Sequence, residues 1–274
     1  MNVWAVTMMR DEVDIAAASL WHMVSQGVDG IVVADNLSAD GTKEAIRSVQ
    51  REATIPILLI EDLEEGYYQG QKMTRLAEIA AGQGAEWIIP FDADELWRGQ
   101  SHLLADILGR AEGRIFGIAS FTYIETGYDL PGETPFERMV YRRPNPTTYP
   151  KVCYRYDSKL IIHQGNDGLC ALDGGLLSFP TLDSAVARIH HFPHRSPEQF
   201  IKKMRNGAAA MKAAADLPAS YCAHWRAYGR LLDLYGEEAL RIIYFSSFFC
   251  GEPWREGLVL DPAWRPGPTS SVIP

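Results

Sequence analysis

The stretch WIIPFDADELWRG, residues 87–99, decides how the chain is read. Trp87, Ile88, Ile89 and Phe91 make an apolar run suited to a buried strand, and Asp92, Asp94 and Glu95 crowd its end. Carboxylates this close repel one another, and each resists losing its water. Asp92 and Asp94 stand at i and i+2, so an extended chain would point both the same way. Their flanks, Phe91 on one side and Leu96 and Trp97 on the other, are apolar, unlike an open solvated turn. Two converging carboxylates in such a setting suit a hard divalent cation, which removes the repulsion and binds oxygen. A cation so held calls for a third ligand and an anionic substrate.

Outward from this stretch, strand-like and helix-like segments alternate. Strands are expected over 2–9, 30–36, 55–62 and 86–94. Helices are expected over 11–27, with Asp11 as cap and Gly27 as stop, within 38–52, which opens with a turn and continues as a helix, and over 70–84. Short apolar strands alternating with helices predict an α/β fold, a mostly parallel sheet flanked by helices. Ligands in such sheets bind beyond the carboxyl ends of the strands. Thr7 to Glu12, Asp35 to Asp40, Glu61 to Glu65 and Asp92 to Glu95 fall there. After Trp97 the pattern predicts a helix over 101–110, a strand over 114–121 and β-rich pieces over 138–163. From Ser196, a cap followed by Pro197, the chain reads as helices. The domain reading is residues 1–195 as the α/β region that carries the strand-end site, and 196–274 as a helical extension packed on it. The apolar run 230–254 suits a core role, or else a surface joining a second subunit into a homodimer. The tail from Asp261, rich in proline, is expected to be irregular.

Composition narrows the classes. At 274 residues, 47% apolar and 11% aromatic, the chain can bury a sizeable core and is not a disordered segment. A net charge of −9 argues against non-specific nucleic-acid binding, which depends on neutralising many phosphates. Cys153, Cys170, Cys222 and Cys250 show no metal or disulfide spacing, so reduced thiols and a cytoplasmic location are expected, with a place against a membrane surface left open. The opening MNVWAVTMMRDE does not read as a signal peptide, and no apolar run reaches the length of a membrane span.

Basic residues gather in two segments of this acidic chain. One holds Arg138, Arg142, Arg143, Lys151, Arg155 and Lys159. The other runs from Arg188 to Arg205 and includes Lys202 and Lys203. Together with a cation motif they fit a diphosphate held between a metal and basic side chains. RIHHFPHRSPEQF, residues 188–200, offers the third ligand, since imidazole suits an ion such as Mn2+ better than Mg2+. His190 and His191 must point to opposite faces of an extended segment, so at most one faces the aspartates. No glycine-rich dinucleotide fingerprint, P-loop or nucleophile elbow occurs. DNLSADGT, residues 35–42, reads as a turn, with Asp35 able to accept hydrogen bonds from a base or ribose.

These pieces resemble the nucleotide-sugar-binding half of family-2 glycosyltransferases of GT-A fold. The order is strand-RDE-helix, strand-DNLSADGT, strand-ED, helix, then WIIPFDADELW. The resemblance covers about residues 2–98 and resumes at HHFPHRSPEQFIKKMRNG, which is similar to the metal-ligand and acceptor-helix block of bacterial members with the FDADE variant. It implies that Asp92 and Asp94 form the DxD motif. Asp94 would bind the metal, Asp92 would face ribose and metal-bound water, and His191 would be the further metal ligand. Arg10, Glu12 and Asp35 would frame the nucleotide and Lys203 would approach the diphosphate, with Thr7 and Lys72 as further donor-side candidates. The implied partners are a nucleoside-diphosphate sugar, an acceptor the sequence does not identify, and Mn2+ or Mg2+. HQGNDGL, residues 163–169, departs from the pattern: Asp167 stands where relatives have a histidine.

Transfer from such a donor breaks a C–O bond through an oxocarbenium-like state and leaves a charged diphosphate. An inverting enzyme also needs a base for the acceptor hydroxyl, for which Asp167 is the first candidate and Asp173 the second. Two rival readings fit the same residues. One is a catalytically dead nucleotide-sugar-binding protein of the same fold. The other is a haloacid-dehalogenase-type phosphohydrolase, whose DxD follows the first strand, whereas here it follows the fourth.

Overall fold

The computed structural model describes residues 1–218 and 220–263. The amino-terminal part alternates as predicted: β1 (Val3–Met9), α1 (Ala16–Ser25), β2 (Gly30–Asp35), α2 (Thr42–Glu52), β3 (Ile57–Glu61), α3 (Gln69–Gly82) and β4 (Trp87–Pro90). Next come β5 (Glu95–Gly99), α4 (Leu104–Arg110), β6 (Ile115–Ile118) and β7 (Ser120–Thr122). Short pieces follow: β8 (Glu125–Thr126), α5 (Pro135–Arg138), β9 (Tyr141–Arg142), β10 (Lys151–Arg155), the pair β11 (Leu160–Ile162) and β12 (Leu169–Ala171), and β13 (Ala187–His191). The chain continues through α6 (Pro197–Ala213), α7 (Ala223–Tyr235), α8 (Glu237–Ser247), β14 (Phe249–Cys250) and β15 (Val259–Leu260).

The fold is α/β, with helices on a six-stranded sheet of order β3-β2-β1-β4-β10-β6. Strands β1 to β4 pair in parallel, and only β10 runs against its neighbours β4 and β6. Alternation along β1 sends side chains to both faces, and both are buried, as parallel sheets require. Val3 and Ala5 join Ile31, Val33 and Ile89 against α1 and α2. Trp4 and Val6 join Val32, Ala34 and Ile88 against Met73, Leu76, Ala77 and Ala80 of α3. Trp4 lies so flat on β2 that a Cβ at Gly30 would fall 2.5 Å from its indole, which is why that strand begins with glycine. A second sheet, β5-β13-β7, stands beyond the carboxyl end of β4 and pairs Glu95 with His191 and Trp97 with Ile189. Phe200, Ile201, Met204, Leu240 and Tyr244 form a separate apolar cluster among α6 and α8.

Several local expectations are corrected. Helix α1 starts at Ala16 with Ile15 at its cap. Asp11 instead adopts a left-handed backbone (φ 56°) and accepts hydrogen bonds from the Ala39 N–H and the Asn206 amide. The strand expected over 114–121 breaks at Ala119 into β6 and β7, which belong to different sheets. The Ser196 cap holds, its hydroxyl accepting from the Gln199 N–H at 3.1 Å. The apolar run 230–254 is interrupted by Gly236 between α7 and α8, and buries Leu240 and Tyr244 but leaves Leu234, Ile242 and Phe245 exposed. No helix among the described residues is long and apolar enough to cross a membrane. The four cysteines are unpaired thiols. Of the irregular tail, only Asp261–Ala263 lies within the described residues.

Candidate active site

Asp92, Ala93 and Asp94 form a tight turn between β4 and β5, not the extended run expected, with the Glu95 N–H bonding back to the Asp92 carbonyl at 3.0 Å. The turn is the step from one sheet to the other. It places Asp92 and Asp94 on the wall of a cleft of about 590 Å³ beyond the carboxyl ends of β1 and β4. Glu95 turns inward and is fully buried. It accepts from the Trp97 indole at 3.0 Å and the Asp92 N–H at 3.2 Å. Burial raises its carboxyl above the usual range, offset in part by the Lys151 ammonium 3.0 Å away.

The two aspartates have different surroundings. Asp92 is held from three segments. Gln69 at the start of α3 and Asn166 each donate to Oδ1 at 3.0 Å, and Lys151 of β10 donates to Oδ2 at 2.7 Å. Asn166 is fully buried in the left-handed region (φ 57°), a conformation asparagine tolerates better than most residues. Asp94, 4% exposed, has Lys203 on Oδ2 at 2.7 Å and His191 Nε2 3.6 Å from Oδ1. Burial alone would raise the Asp94 carboxyl. Lys203, His191 and Arg195 outweigh that and hold it well below the usual carboxylate range. Arg195, 1% exposed, grips Glu12 and Asp14, donates to the Phe192 carbonyl at 3.2 Å and reaches within 4.0 Å of Asp94. Burial raises the Glu12 carboxyl, with Arg195 and Lys203 opposing.

The cleft brings together Arg10, Glu12, Asp92, Asp94, His191 and Lys203 of the expected site residues. Thr7, Asp35 and Lys72 do not line it. Thr7 is fully buried in β1, Asp35 is buried at the end of β2, and Lys72 pairs with Asp62 at 2.7 Å. His191 faces Asp94, whereas His190 turns to the Tyr123 hydroxyl at 2.7 Å. Asp167 accepts from His163 Nδ1 at 2.8 Å. Asp173 is exposed and serves its own turn, accepting from the Gly175 N–H at 3.1 Å. Lys151, Gln69, Asn166 and the aromatic wall of Tyr67, Trp225 and Tyr228 also line or brace the site. Apart from Lys151, which belongs to a basic cluster, sequence reasoning does not single them out: a lone glutamine or asparagine carries no spacing signal. Of the two basic clusters, Lys151, Lys202 and Lys203 reach the cleft, while Arg142 and Arg188 are drawn to Asp261.

Asp94 Oδ1 and His191 Nε2 are the two donors that could share a cation, since Asp92 has both oxygens engaged by protein donors. Among the described residues no three His, Cys, Asp or Glu side chains are arranged to hold a metal ion by themselves.

His22, His190 and His194 give the fold a pH dependence. Burial holds their imidazoles neutral, lowering them from 6.5 to about 4, about 3 and about 3. In the unfolded chain each takes a proton as pH falls through about 6.5, and the folded chain does not. Their contribution is therefore complete above that pH and is lost as pH falls below it, by up to about 1.4 kcal/mol per pH unit per histidine. Asp129 runs the other way, since burial lifts its carboxyl to about 6 and the folded chain takes that proton first. Urea midpoints should therefore fall between pH 7.5 and pH 5.5; equal midpoints would contradict the buried neutral imidazoles.

No model of a known protein family matches the chain, and no curated protein matches it either. Solved structures do. It is similar to residues 1–349 of Staphylococcus aureus TarS crystallised with UDP, at 14% identity and a TM-score of 0.40 over 90% of this chain and 75% of that one. The same protein with UDP-GlcNAc gives 15% and 0.41 with the same coverage. HddC from Yersinia pseudotuberculosis gives 13% and 0.40 over 74% of this chain and 97% of that one.

Proposed function

We propose that the chain is a metal-dependent glycosyltransferase that moves a sugar from a nucleoside-diphosphate sugar to an acceptor hydroxyl, with inversion. The observation that carries this is the charge pattern of the cleft. Paired carboxylates on the β4–β5 turn share one concave wall with Arg10, Lys151, Lys202 and Lys203. Carboxylates and cations alternating at the carboxyl ends of parallel strands suit a ligand that brings both phosphate and a cation. The Arg10 Nε–H is buried with no partner among the described residues, a donor left over for a phosphate oxygen.

The donor set fits a divalent cation that takes few protein ligands. Mg2+ and Mn2+ commonly use one or two protein ligands and complete their shell with phosphate oxygens and water, and Asp94 with His191 would supply the protein share. When bound, the cation would neutralise charge on the departing diphosphate. Lys203 and Arg10 would bind the same phosphates as hydrogen-bond donors. Lys151 keeps Asp92 and Glu95 compensated, so that Asp92 stays fixed. Asp167 would take the acceptor proton, oriented by its bond to His163.

A thermal-shift screen of nucleoside diphosphates with and without Mn2+ tests the reading. A ligand at about a hundred times its Kd adds about 2.7 kcal/mol of apparent stability. The expected result is a shift with at least one nucleoside diphosphate that grows when Mn2+ is present. No shift with any of them would overturn the donor assignment. A shift without detectable donor hydrolysis or transfer would leave a binding protein instead of an enzyme.

A further inference from the structure

A second cavity, of about 320 Å³, adjoins the cleft and shares Lys151, Gly165 and His191 with it. Each remaining lining residue carries a hydroxyl or a carboxylate: Ser120, Thr147, Thr148, Tyr149 and Asp167. We infer that this cavity receives the acceptor, and that the acceptor is a sugar unit presenting one of its ring hydroxyls to Asp167. This rests on the donor reading of the larger cleft.

Three observations support the assignment. Ser120 is 1% exposed, yet its Oγ has no partner among the described residues. A buried hydroxyl left unsatisfied on a cavity wall is costly unless something else completes it. A ligand rich in hydroxyls can both donate to it and accept from it. Second, besides the His191 imidazole, Tyr149 is the one aromatic side chain among the described residues lining the cavity. That ring is 69% exposed at the rim, where it suits the flat C–H face of a pyranose. Third, the segment bearing Thr147, Thr148 and Tyr149 is bounded by Pro144, Pro146 and Pro150, and Thr147 is pinned twice. Its N–H donates to the Ser120 carbonyl at 2.8 Å and its hydroxyl to the Tyr149 carbonyl at 3.0 Å. A segment fixed in advance loses less freedom on binding.

The shared wall gives the direction of transfer. A donor in the cleft and an acceptor in the cavity would meet at His191 and Lys151, with Asp167 on the acceptor side only. The acceptor oxygen bonds to the anomeric carbon as the bond from that carbon to the diphosphate oxygen breaks. The hydroxyl proton passes to Asp167, and the nucleoside diphosphate leaves with the electron pair.

Saturation-transfer NMR on the full chain with methyl gluco-, galacto- and mannopyranosides reads the cavity without needing the natural acceptor. At least one glycoside should receive saturation. Ser120→Ala and Tyr149→Ala should each weaken its binding by about fivefold, the scale of one lost hydrogen bond or ring contact. Both variants should keep the response to UDP and Mn2+ seen in the unaltered chain. The inference is overturned if no glycoside is saturated, if neither variant weakens binding, or if UDP displaces the glycoside, which would put it in the cleft. A Ser120-dependent glycoside signal from a chain that ignores every nucleoside diphosphate would keep the cavity as a sugar site and sink the donor reading alone.

Discussion

Asp94→Asn is expected to abolish the Mn2+-dependent part of nucleoside-diphosphate binding while leaving the chain folded. The substitution keeps the shape of the side chain and exchanges a carboxylate for a neutral amide at a position whose oxygen faces His191. The fold should survive because the Asp94 backbone carbonyl, which accepts from the Phe192 N–H at 2.8 Å, is untouched. Lys203 also retains the Pro193 carbonyl at 3.3 Å and the nearby charge of Glu12. Isothermal titration with the nucleoside diphosphate selected by the thermal-shift screen, in Mn2+ and in EDTA and alongside a far-UV spectrum, separates the two effects. Unchanged Mn2+-dependent binding would remove Asp94 from the metal site. His191→Ala should weaken the same coupling. His190→Ala should leave it intact and lower stability, since that ring packs against Tyr123 inside the protein. The reverse outcome would move the ligand assignment by one residue.

Arg195→Met is expected to cost about 3 kcal/mol or more of stability, because removing one partner of a buried ion network leaves the others uncompensated. Methionine roughly fills the space, so the loss should report charge and hydrogen bonding instead of a cavity. The guanidinium joins Glu12 and Asp14, which precede α1, to the Phe192 carbonyl and to the neighbourhood of Asp94. Without it, Glu12, already raised by burial, would be expected to take up a proton. A loss below about 1 kcal/mol in urea titration would mean that solvent screens these carboxylates as it does surface pairs.

Much of the first ninety residues was legible because each element there is specified by its own pattern: apolar β1, β2 and β4, the amphipathic α2, and a turn before it. Where β10 inserts was not legible. It pairs with β4 across more than sixty residues of intervening chain, and nothing local in KVCYR says that it runs against its neighbours. The same distance hid the role of Lys151, which the sequence groups with five other basic residues and which β10 carries to Asp92 and Glu95. The order of Asp92 and Asp94 pointed to a cleft, but an i, i+2 spacing argument assumes an extended chain. A turn also brings the two aspartates to one cleft and gives them different partners. Thr7 and Asp35 sit near strand ends in sequence, and Lys72 sits in the first turn of α3. Whether such residues face a cleft or the interior depends on one step of backbone, which spacing alone does not fix.

The β4–β5 turn has a consequence for how this protein can vary in length. It is the direct step from β4 of the six-stranded sheet into β5, and both ends are locked: Ile88 against Trp4 and Tyr154, Glu95 against His191. One residue removed between Pro90 and Glu95 would slip β5 along β13 and exchange its two faces, putting Leu96 where Glu95 now lies, and one residue added would slip it the other way. Loops elsewhere on the molecule can lengthen at small entropic cost, growing only with the logarithm of their length. This segment can change its letters but not its count.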